Sequence, residues 1–354
     1  MGWTRRGFIS SCMSLPVAAA MVGVSGKESD AASQPTAPVG PKLAFRDGKF
    51  KILQLTDLHL AFVEDRTAKA DATLGVIRRL LAAEKPDLTI LTGDLITADP
   101  TTLSGGLPEA WAKLAEPFAE AKLPFAVTFG NHDHERKETT AEQLVMIQKS
   151  PWNVTFSQDT SLSGAGNCAI PVYGADGKPA RRIWLFDSHS YPAQSGLSAY
   201  DWIKNDQIQW YRKTSEKIEK ESGGRTPSLA FFHIPVPEFW RVHHAEETLG
   251  IGNEDVCAPE LNSGLFTALI ERGDVDGVFV GHDHVNDYIA SYKGVALAYG
   301  RKTGEDSYGD LARGGRIIEW TEGTAGFKTY ITIGDERLFH YSFPQPPKPE
   351  FKPE

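Results

Sequence analysis

Five short apolar segments of this chain are each followed directly by residue types that bind metal ions. Short apolar runs bounded by turn-forming or polar residues are typical of buried parallel strands. The functional groups of open α/β sheets gather at the carboxyl ends of such strands, so residues that are distant in sequence should meet there. The five segments are Lys51–Leu55, Leu88–Thr92, Phe125–Phe129, Ser228–Phe232 and Val275–Val280.

The residues after these segments have the side chains of a metal site. Asp57 and His59 lie two positions apart at a strand end, so their side chains leave the backbone on the same side and can bind one ion. Asp94 follows a glycine, which lets the chain turn off its strand, and its two carboxylate oxygens can bridge two ions. The remaining candidate ligands are Asn131, His233, His282 and His284. Any one histidine alone would more often be an ordinary core or surface residue, but the complete set predicts a site for two metal ions.

The pattern between the metal-binding segments predicts an α/β fold. Thr67–Glu84 and Leu107–Lys122 have the spacing of helices and alternate with the first three strands, so this part of the sheet should be parallel. Short strand-like pieces between residues 152 and 187 predict antiparallel hairpins, and Asp201–Ser222 and Ser263–Arg272 predict two more helices. Further strands are expected at Val295–Tyr299, Arg316–Glu319 and Lys328–Thr332.

The N-terminus has the composition of an export signal. Thr4–Ile9 contains two consecutive arginines and a phenylalanine, and the mildly apolar stretch Ser10–Val24 follows. This pattern predicts a twin-arginine signal cleaved near Ala31 or Ala32; a chance arginine pair before an ordinary secretory signal or a membrane anchor is the alternative. A membrane-spanning helix needs about 20 strongly apolar residues, and this stretch is shorter and interrupted. We therefore expect a periplasmic or secreted protein without a stable transmembrane anchor, with the twin-arginine translocase as its partner during export.

Composition divides the chain into four predicted segments. Residues 1–32 would be the signal and residues 33–41, rich in Ser, Ala, Pro and Gly, a flexible spacer. Residues 42–343 would form one large folded domain, and the Pro- and Lys-rich residues 344–354 a disordered tail. Cys168 and Cys257 would remain after cleavage, and they could form a disulfide or stay separate buried thiols.

The formal net charge of −9, without clusters of Lys and Arg in the body of the chain, disfavours a nucleic acid partner. Binding a phosphate backbone requires basic surface.

The ordered series of motifs resembles the calcineurin-like metallophosphoesterases, from about Lys51 to Arg301. The blocks that carry the resemblance are Gly93-Asp94, Gly130-Asn131-His132-Asp133, His233 and Gly281-His282-Asp283-His284. Multi-block motifs in a fixed order rarely arise by chance. The stretches Phe186–Ser188, Tyr200–Lys204, Phe231–Pro235 and Gly281–Asp287 are similar to the purple-acid-phosphatase-related branch. True purple acid phosphatases have a tyrosine ligand shortly after the Gly-Asp block, and Leu95-Ile96-Thr97 offers none.

This resemblance implies a four-layer αββα sandwich with residues 42–343 as a metallophosphoesterase catalytic domain. It also implies the role of each ligand: Asp57, His59 and His284 would hold the first metal, Asn131, His233 and His282 the second, and Asp94 would bridge. Oxygen and imidazole ligands without a thiolate suit two transition metal ions such as Mn, Fe or Zn.

The expected reaction is hydrolysis of a small phosphoester. Two cations would lower the pKa of a bridging water, whose hydroxide attacks the phosphorus in line. His132 has no obvious metal role and is the candidate general acid for the leaving group, with Asp133 setting its tautomer. Phosphomonoesters are the leading substrate class. A phosphodiesterase or pyrophosphatase would use the same ligands, and a non-catalytic, metal-stabilised binding protein is the alternative outside enzymes.

Five histidines remain unassigned: His134, His189, His243, His244 and His340. His189 lies two residues after Asp187, and for it a place at the site and a surface role are both open.

Overall fold

The computed structural model describes residues 40–197 and 199–345. The predicted signal, most of the predicted spacer and most of the predicted tail lie outside the described residues, so those assignments stay predictions. Over the part of the chain that is described, every helix is too short or too polar to cross a membrane.

The described residues form twelve strands, six α-helices and one 3₁₀ helix. In chain order they are β1 (Lys49–Leu55), α1 (Thr67–Glu84), β2 (Leu88–Thr92), α2 (Gly106–Ala121), β3 (Phe125–Thr128), α3 (Asn131–His134), α4 (Thr140–Ile147), β4 (Cys168–Tyr173), β5 (Pro179–Leu185), α5 (Asn205–Ser222), β6 (Ser228–Phe231), the 3₁₀ helix Pro237–Arg241, α6 (Leu265–Arg272), β7 (Val275–Val280), β8 (Ile289–Tyr292), β9 (Val295–Tyr299), β10 (Gly315–Thr321), β11 (Phe327–Ile333) and β12 (Glu336–Phe343).

The strands form two mixed, six-stranded sheets with the orders β12-β11-β10-β1-β2-β3 and β4-β5-β6-β7-β9-β8. In the first sheet β1, β2 and β3 are parallel, as the sequence predicts, while β10 pairs antiparallel with β1. In the second, β5, β6, β7 and β9 are parallel, and β4 and β8 are antiparallel edge strands. The predicted hairpin before residue 187 is β4 with β5.

Three apolar layers show how the sheets and helices are stacked. Ile52 of β1 and Phe279 of β7 belong to a core between the two sheets. Leu53, next to Ile52, points to the opposite side and packs in a second core with α1 and α2. A third core joins Trp184 of β5 to Tyr211 of α5. Successive strand residues thus face a helix layer and a sheet layer in turn, which confirms the αββα sandwich.

Several element bounds differ from the prediction. The fifth helix begins at Asn205 and not at Asp201, because the Gln207 side chain accepts the backbone N–H of Lys204 at 2.6 Å and caps the helix there. Helix α4 was not predicted, although Thr139 and Glu142 form a capping box whose sequence pattern indicates the start of a helix. Strands β8 and β12 were also missed.

Neither of the two cysteines of the described chain forms a disulfide. Cys168 is buried in β4 and Cys257 is partly exposed in the loop before α6. The disulfide alternative is therefore wrong for this structure.

Candidate metal centre

The seven predicted metal ligands meet at the carboxyl ends of five parallel strands, three in one sheet and two in the other. Asp57 and His59 follow β1, Asp94 follows β2, and Asn131 follows β3; His233 follows β6, and His282 and His284 follow β7. All seven are buried. Neither sheet alone contains the site.

The first group of candidate ligands consists of Asp57, His59, Asp94 and His284. Each residue offers one ligand atom, and these atoms lie within 4.8 Å of one another. The Nε2 atoms of His59 and His284 are 3.0 Å apart. Asp57 Oδ1 lies 3.3 Å from His284 Nε2, and Asp94 Oδ2 lies 3.6 Å from His59 Nε2. Two imidazoles and two carboxylates thus converge on one point.

The second group shares Asp94 with the first and adds His233 and His282. Asp94 Oδ2 is 3.2 Å from His233 Nε2, which is itself 3.3 Å from His282 Nδ1. The other ring nitrogen of His233, Nδ1, lies 2.8 Å from the carbonyl oxygen of Thr92. A carbonyl accepts only, so Nδ1 carries a proton, which leaves Nε2 as the nitrogen that can bind a metal.

An unpartnered buried atom shows that the cluster fits metal ions. Asn131 Oδ1 is buried and has no hydrogen-bond partner among the described residues. A buried polar atom normally has a partner, since leaving it unpaired costs roughly 1–3 kcal/mol. Nitrogen and oxygen donors without a thiolate suit transition metal ions.

Four of the seven ligands have a strained backbone. Asp57, His59, Asp94 and His282 have φ values of 55°, 45°, 53° and 81°. Residues other than glycine seldom adopt this left-handed conformation, which persists at functional sites because the surrounding structure enforces it. Hydrogen bonds hold it here: the His59 N–H donates to the Asp94 carbonyl at 2.9 Å, and the His282 N–H donates to the Asp57 carboxylate at 3.2 Å.

Two glycines make room for the ligands. A Cβ on Gly93, which has φ 86°, would lie 2.5 Å from His233 Nδ1. A Cβ on Gly130 would lie 2.3 Å from Asp94 Oδ1. Both motif glycines are therefore required by the close approach of a metal ligand.

Electrostatics keep two of the imidazoles neutral and the carboxylates charged. Burial, with the neighbouring His284, lowers the pKa of His59 to about 3, and burial with the neighbouring His233 lowers that of His282 to about 3. Burial opposes ionisation of Asp57, but His284 outweighs it and lowers the pKa of this carboxyl to about 2. Neutral imidazoles and ionised carboxylates are the protonation states that bind cations.

His132 lies at the entrance to the ligand cluster. Its ring is 5.3 Å from that of His59 between centroids, its side chain is 38% exposed, and its Nδ1 is 2.7 Å from Glu135 Oε2. Burial opposes protonation, but Glu135 and Asp94 outweigh it and raise the pKa of His132 to about 9. His132 can therefore hold a proton at neutral pH.

The role predicted for Asp133 is wrong. Its carboxylate points away from His132 and accepts backbone N–H groups of Leu95, Ile96 and Gly130, with distances of 3.0 Å, 3.2 Å and 2.9 Å for the shortest contacts. Adjacent residues of a helical turn point in different directions, whereas residues three apart share a face. His132 therefore meets Glu135, and Asp133 fixes the turns that carry Asp94 and Asn131.

The cavity over the cluster has walls that sequence reasoning missed. The Tyr308 ring stacks on His284 with centroids 4.0 Å apart, and the Tyr200 ring lies edge-on to His282 at 4.2 Å. Asp306, Ser307 and Cys257 line the same cavity. Tyr200 lies in a stretch that carried the family resemblance, but the loop with Tyr308 has no motif that could have pointed to it.

Comparisons with known proteins show which family the chain belongs to. A family model described as calcineurin-like phosphoesterase matches residues 50–286. Two similar proteins from Arabidopsis thaliana are described as probable inactive purple acid phosphatases 29 and 14. The first is 36% identical over 76% of this chain and 75% of its own length, and the second is 33% identical over 77% and 75%. Phosphatase DCR2 of Saccharomyces cerevisiae is 34% identical over 68% of this chain and 45% of its own length.

Among solved structures, a dimetal phosphatase from Danio rerio superimposes with a TM-score of 0.54 at 14% identity. The match covers 83% of this chain and 99% of that one. At this identity the likeness shows the shared fold.

Proposed function

The chain belongs to the calcineurin-like phosphoesterase family, and we propose that it hydrolyses phosphomonoesters with two metal ions held by the ligand cluster. The observation that carries this proposal is the convergence of six buried ligands on two points that share Asp94, with the buried Asn131 lining the same cavity. A cavity opens over these ligands and is lined by His132, Tyr200 and Tyr308.

In this proposal Asp57, His59 and His284 would hold one ion, Asn131, His233 and His282 would hold the other, and Asp94 would be shared by both. The ions, Mn, Fe or Zn, would supply an activated water and neutralise the charge of the phosphate. Hydrogen bonds to the chain already fix several ligands: the His132 backbone N–H donates to Asp94 Oδ1 at 3.0 Å, and the Thr92 carbonyl fixes the His233 ring.

His132 is the proposed general acid. Its Nδ1 is engaged by Glu135, so Nε2 is the nitrogen left to give a proton to the leaving oxygen. Glu135 also accepts the hydroxyl of Tyr191 at 3.0 Å, so the carboxylate is held in place from a second side. Glu135 thus takes over the positioning role that the sequence analysis assigned to Asp133.

The non-catalytic alternative has specific support. The two Arabidopsis relatives are described as probable inactive, whereas the yeast relative is described as a phosphatase. A metal-stabilised binding protein would keep the ligands but turn over no ester. A phosphodiesterase or pyrophosphatase would differ in substrate and not in ligands.

Hydrolysis of p-nitrophenyl phosphate and bis-p-nitrophenyl phosphate by the purified protein, reloaded with Mn, Fe or Zn, separates these functions. We expect metal-dependent turnover with preference for the monoester. Preference for the diester would favour a phosphodiesterase. A protein that binds the metals but hydrolyses neither ester would favour the binding protein.

The matched variants are Asp94→Asn and Asp335→Asn. Asp94→Asn should lower kcat by at least about 100-fold, because loss of an outer-shell partner of a metal ligand already costs roughly 10- to 100-fold. Asp335 is exposed in the turn between β11 and β12, so the same change there should leave kcat unaltered. Equal activities of the two variants would rule out this assignment of the site.

We further propose that residues 1–32 direct export through the twin-arginine translocase. The support is the sequence pattern around Arg5 and Arg6. Replacing both by lysine should retain the protein in the cytoplasm. The same double change at Arg78 and Arg79 of α1 should not, and export of the Arg5/Arg6 variant at the normal level would contradict the proposal.

A further inference from the structure

A second cluster of metal-binding side chains, which we call the His134 cluster, consists of His134, Asp187 and His189. Each residue offers a ligand atom, and these atoms lie within 4.8 Å of one another. His134 is the last residue of α3, which follows β3 of the first sheet, and Asp187 follows β5 of the second sheet. The cluster therefore contains residues from both sheets. Asp187 is fully buried, while the two histidines are partly exposed and open to solvent.

Gln207 fixes the tautomer of His189. The Gln207 amide nitrogen donates to Asn167 Oδ1 and to the carbonyl oxygen of Asp187, each at 2.8 Å, so its Oε1 is the acceptor. His189 Nε2 lies 3.0 Å from that Oε1 and must donate to it. The proton on Nε2 leaves the lone pair on Nδ1. Histidine ligands are usually oriented in this way, with one nitrogen donating to an oxygen and the other free for the metal.

Asp187 Oδ1 contacts both histidines. It is 2.7 Å from His134 Nε2 and accepts the backbone N–H of His189 at 2.9 Å. Asp187 Oδ2 is held separately by the backbone N–H of Ala165 at 2.9 Å. A cation bound here would displace the proton that His134 Nε2 shares with Asp187, and this proton would leave to solvent.

The backbone of the His134 cluster shows the same strain as the main site. His189 has φ 63°, in the left-handed region that four of the seven main-site ligands also occupy. A Cβ on Gly164 would lie 2.6 Å from Asp187 Cβ, so the carboxylate is held by close packing. A strained histidine beside a rigidly held carboxylate indicates a functional constraint.

We propose that His134, Asp187 and His189 form a third metal site, which takes a divalent transition metal ion such as Zn²⁺. Two imidazoles and one carboxylate are a known zinc ligand set, with water in the fourth position. The ion would link the end of β3 to the end of β5 beside Asn131, whose carbonyl already accepts the hydroxyl of Ser190 at 3.2 Å. The proposal does not depend on catalysis at the main site.

The test is the zinc content of the full-length, untagged chain after dialysis against Zn²⁺, measured by elemental analysis. His189→Asn should contain one zinc ion per chain less than the wild type. Asparagine tolerates the left-handed conformation, so the fold should persist. The result is a difference between two proteins, so it stands whatever the occupancy or activity of the main site.

His134→Gln provides a second variant, because glutamine can still donate to Asp187 but cannot replace the imidazole. It should also lose one ion. The control is His244→Asn, at an exposed histidine with φ 58°, which should keep the wild-type zinc content. Unchanged zinc in both His189→Asn and His134→Gln would overturn the proposal and leave the cluster as an ion pair; equal loss in the control would show adventitious surface binding and overturn it too.

Discussion

At the scale of single residues, His132 separates the proposed enzyme from a protein that only binds metal ions. The seven ligands would bind the ions, but they cannot protonate a leaving group. His132, paired with Glu135 at 2.7 Å and lining the cavity, is the proposed source of that proton. Its place three residues before Glu135 on one helical face produces this pair.

Replacing His132 by alanine should therefore affect substrates unequally. A positioned general acid contributes roughly 10²- to 10⁴-fold, and most of this is lost when the leaving group is a poor one such as an alkoxide. The loss of kcat should be much smaller with p-nitrophenyl phosphate, whose leaving group needs little protonation. Equal losses on both substrates would count against the role, and Glu135→Gln should show the same inequality in weaker form.

At the scale of elements, tight turns after the strands place the ligands. The chain leaves β2 through Gly93 and passes directly under the His233 ring. Any larger residue would push that ring away from Asp94. The backbone conformation of the turn at Gly93 thus determines how closely the His233 ring can approach Asp94.

Gly93→Ala should lower both stability and metal affinity, and Gly177→Ala only stability. Both glycines have positive φ, 86° and 76°, so both substitutions carry a backbone cost of about 1 kcal/mol. Only the Cβ at Gly93 meets another residue, because nothing lies within 4 Å of the Cβ position at Gly177. Thermal unfolding with and without added Mn²⁺ measures both effects. Equal metal dependence in the two variants would show that the contact with His233 does not matter.

At the scale of the whole molecule, the first helix is tied to the last two strands. Glu84, at the end of α1, is 4% exposed and accepts hydrogen bonds from Tyr330 at 2.8 Å and Thr332 at 3.0 Å in β11. Arg337 of β12 and Lys51 of β1 also contact its carboxylate. The buried Glu84 carboxylate thus connects side chains that are far apart in the sequence.

This network gives stability that depends on pH. Burial opposes the charge of Glu84, but hydrogen bonds from Tyr330 and Thr332 outweigh it and lower the pKa of the carboxyl in the folded state. The stabilisation is therefore present above the unfolded pKa of about 4.3 and is lost as the pH falls through the lower folded pKa. Glu84→Gln should lower the free energy of unfolding by about 2 kcal/mol at pH 7. In urea titrations the difference from wild type should shrink below pH 4; a constant difference would exclude ionisation as its source.

Metal removal tests the joining of the two sheets. Ligands from both sheets share the proposed ions, and an ion that binds only the folded protein stabilises it. A chelator should therefore lower the Tm of the wild type. The shift should be smaller for Asp94→Asn, which lacks the shared carboxylate, and a chelator-independent Tm would mean that the ions do not link the sheets.

The sequence by itself determined the five strands that carry the ligands and the edge at which the ligands meet, and the family resemblance supplied the four layers. Buried parallel strands appear in the sequence as continuous apolar runs, and functional groups gather at their carboxyl ends. Asp57, Asp94 and His284 could therefore be placed together from the sequence. Tertiary structure decided what depends on direction and on contacts between distant segments. The partner of His132 is Glu135 because of the turn of α3, and Tyr308 reaches His284 from a loop without a motif. His134 meets His189 only because the segments that follow β3 and β5 contact each other. The local sequence pattern indicates which residues are buried. The orientation of a side chain depends on the packing of the whole domain.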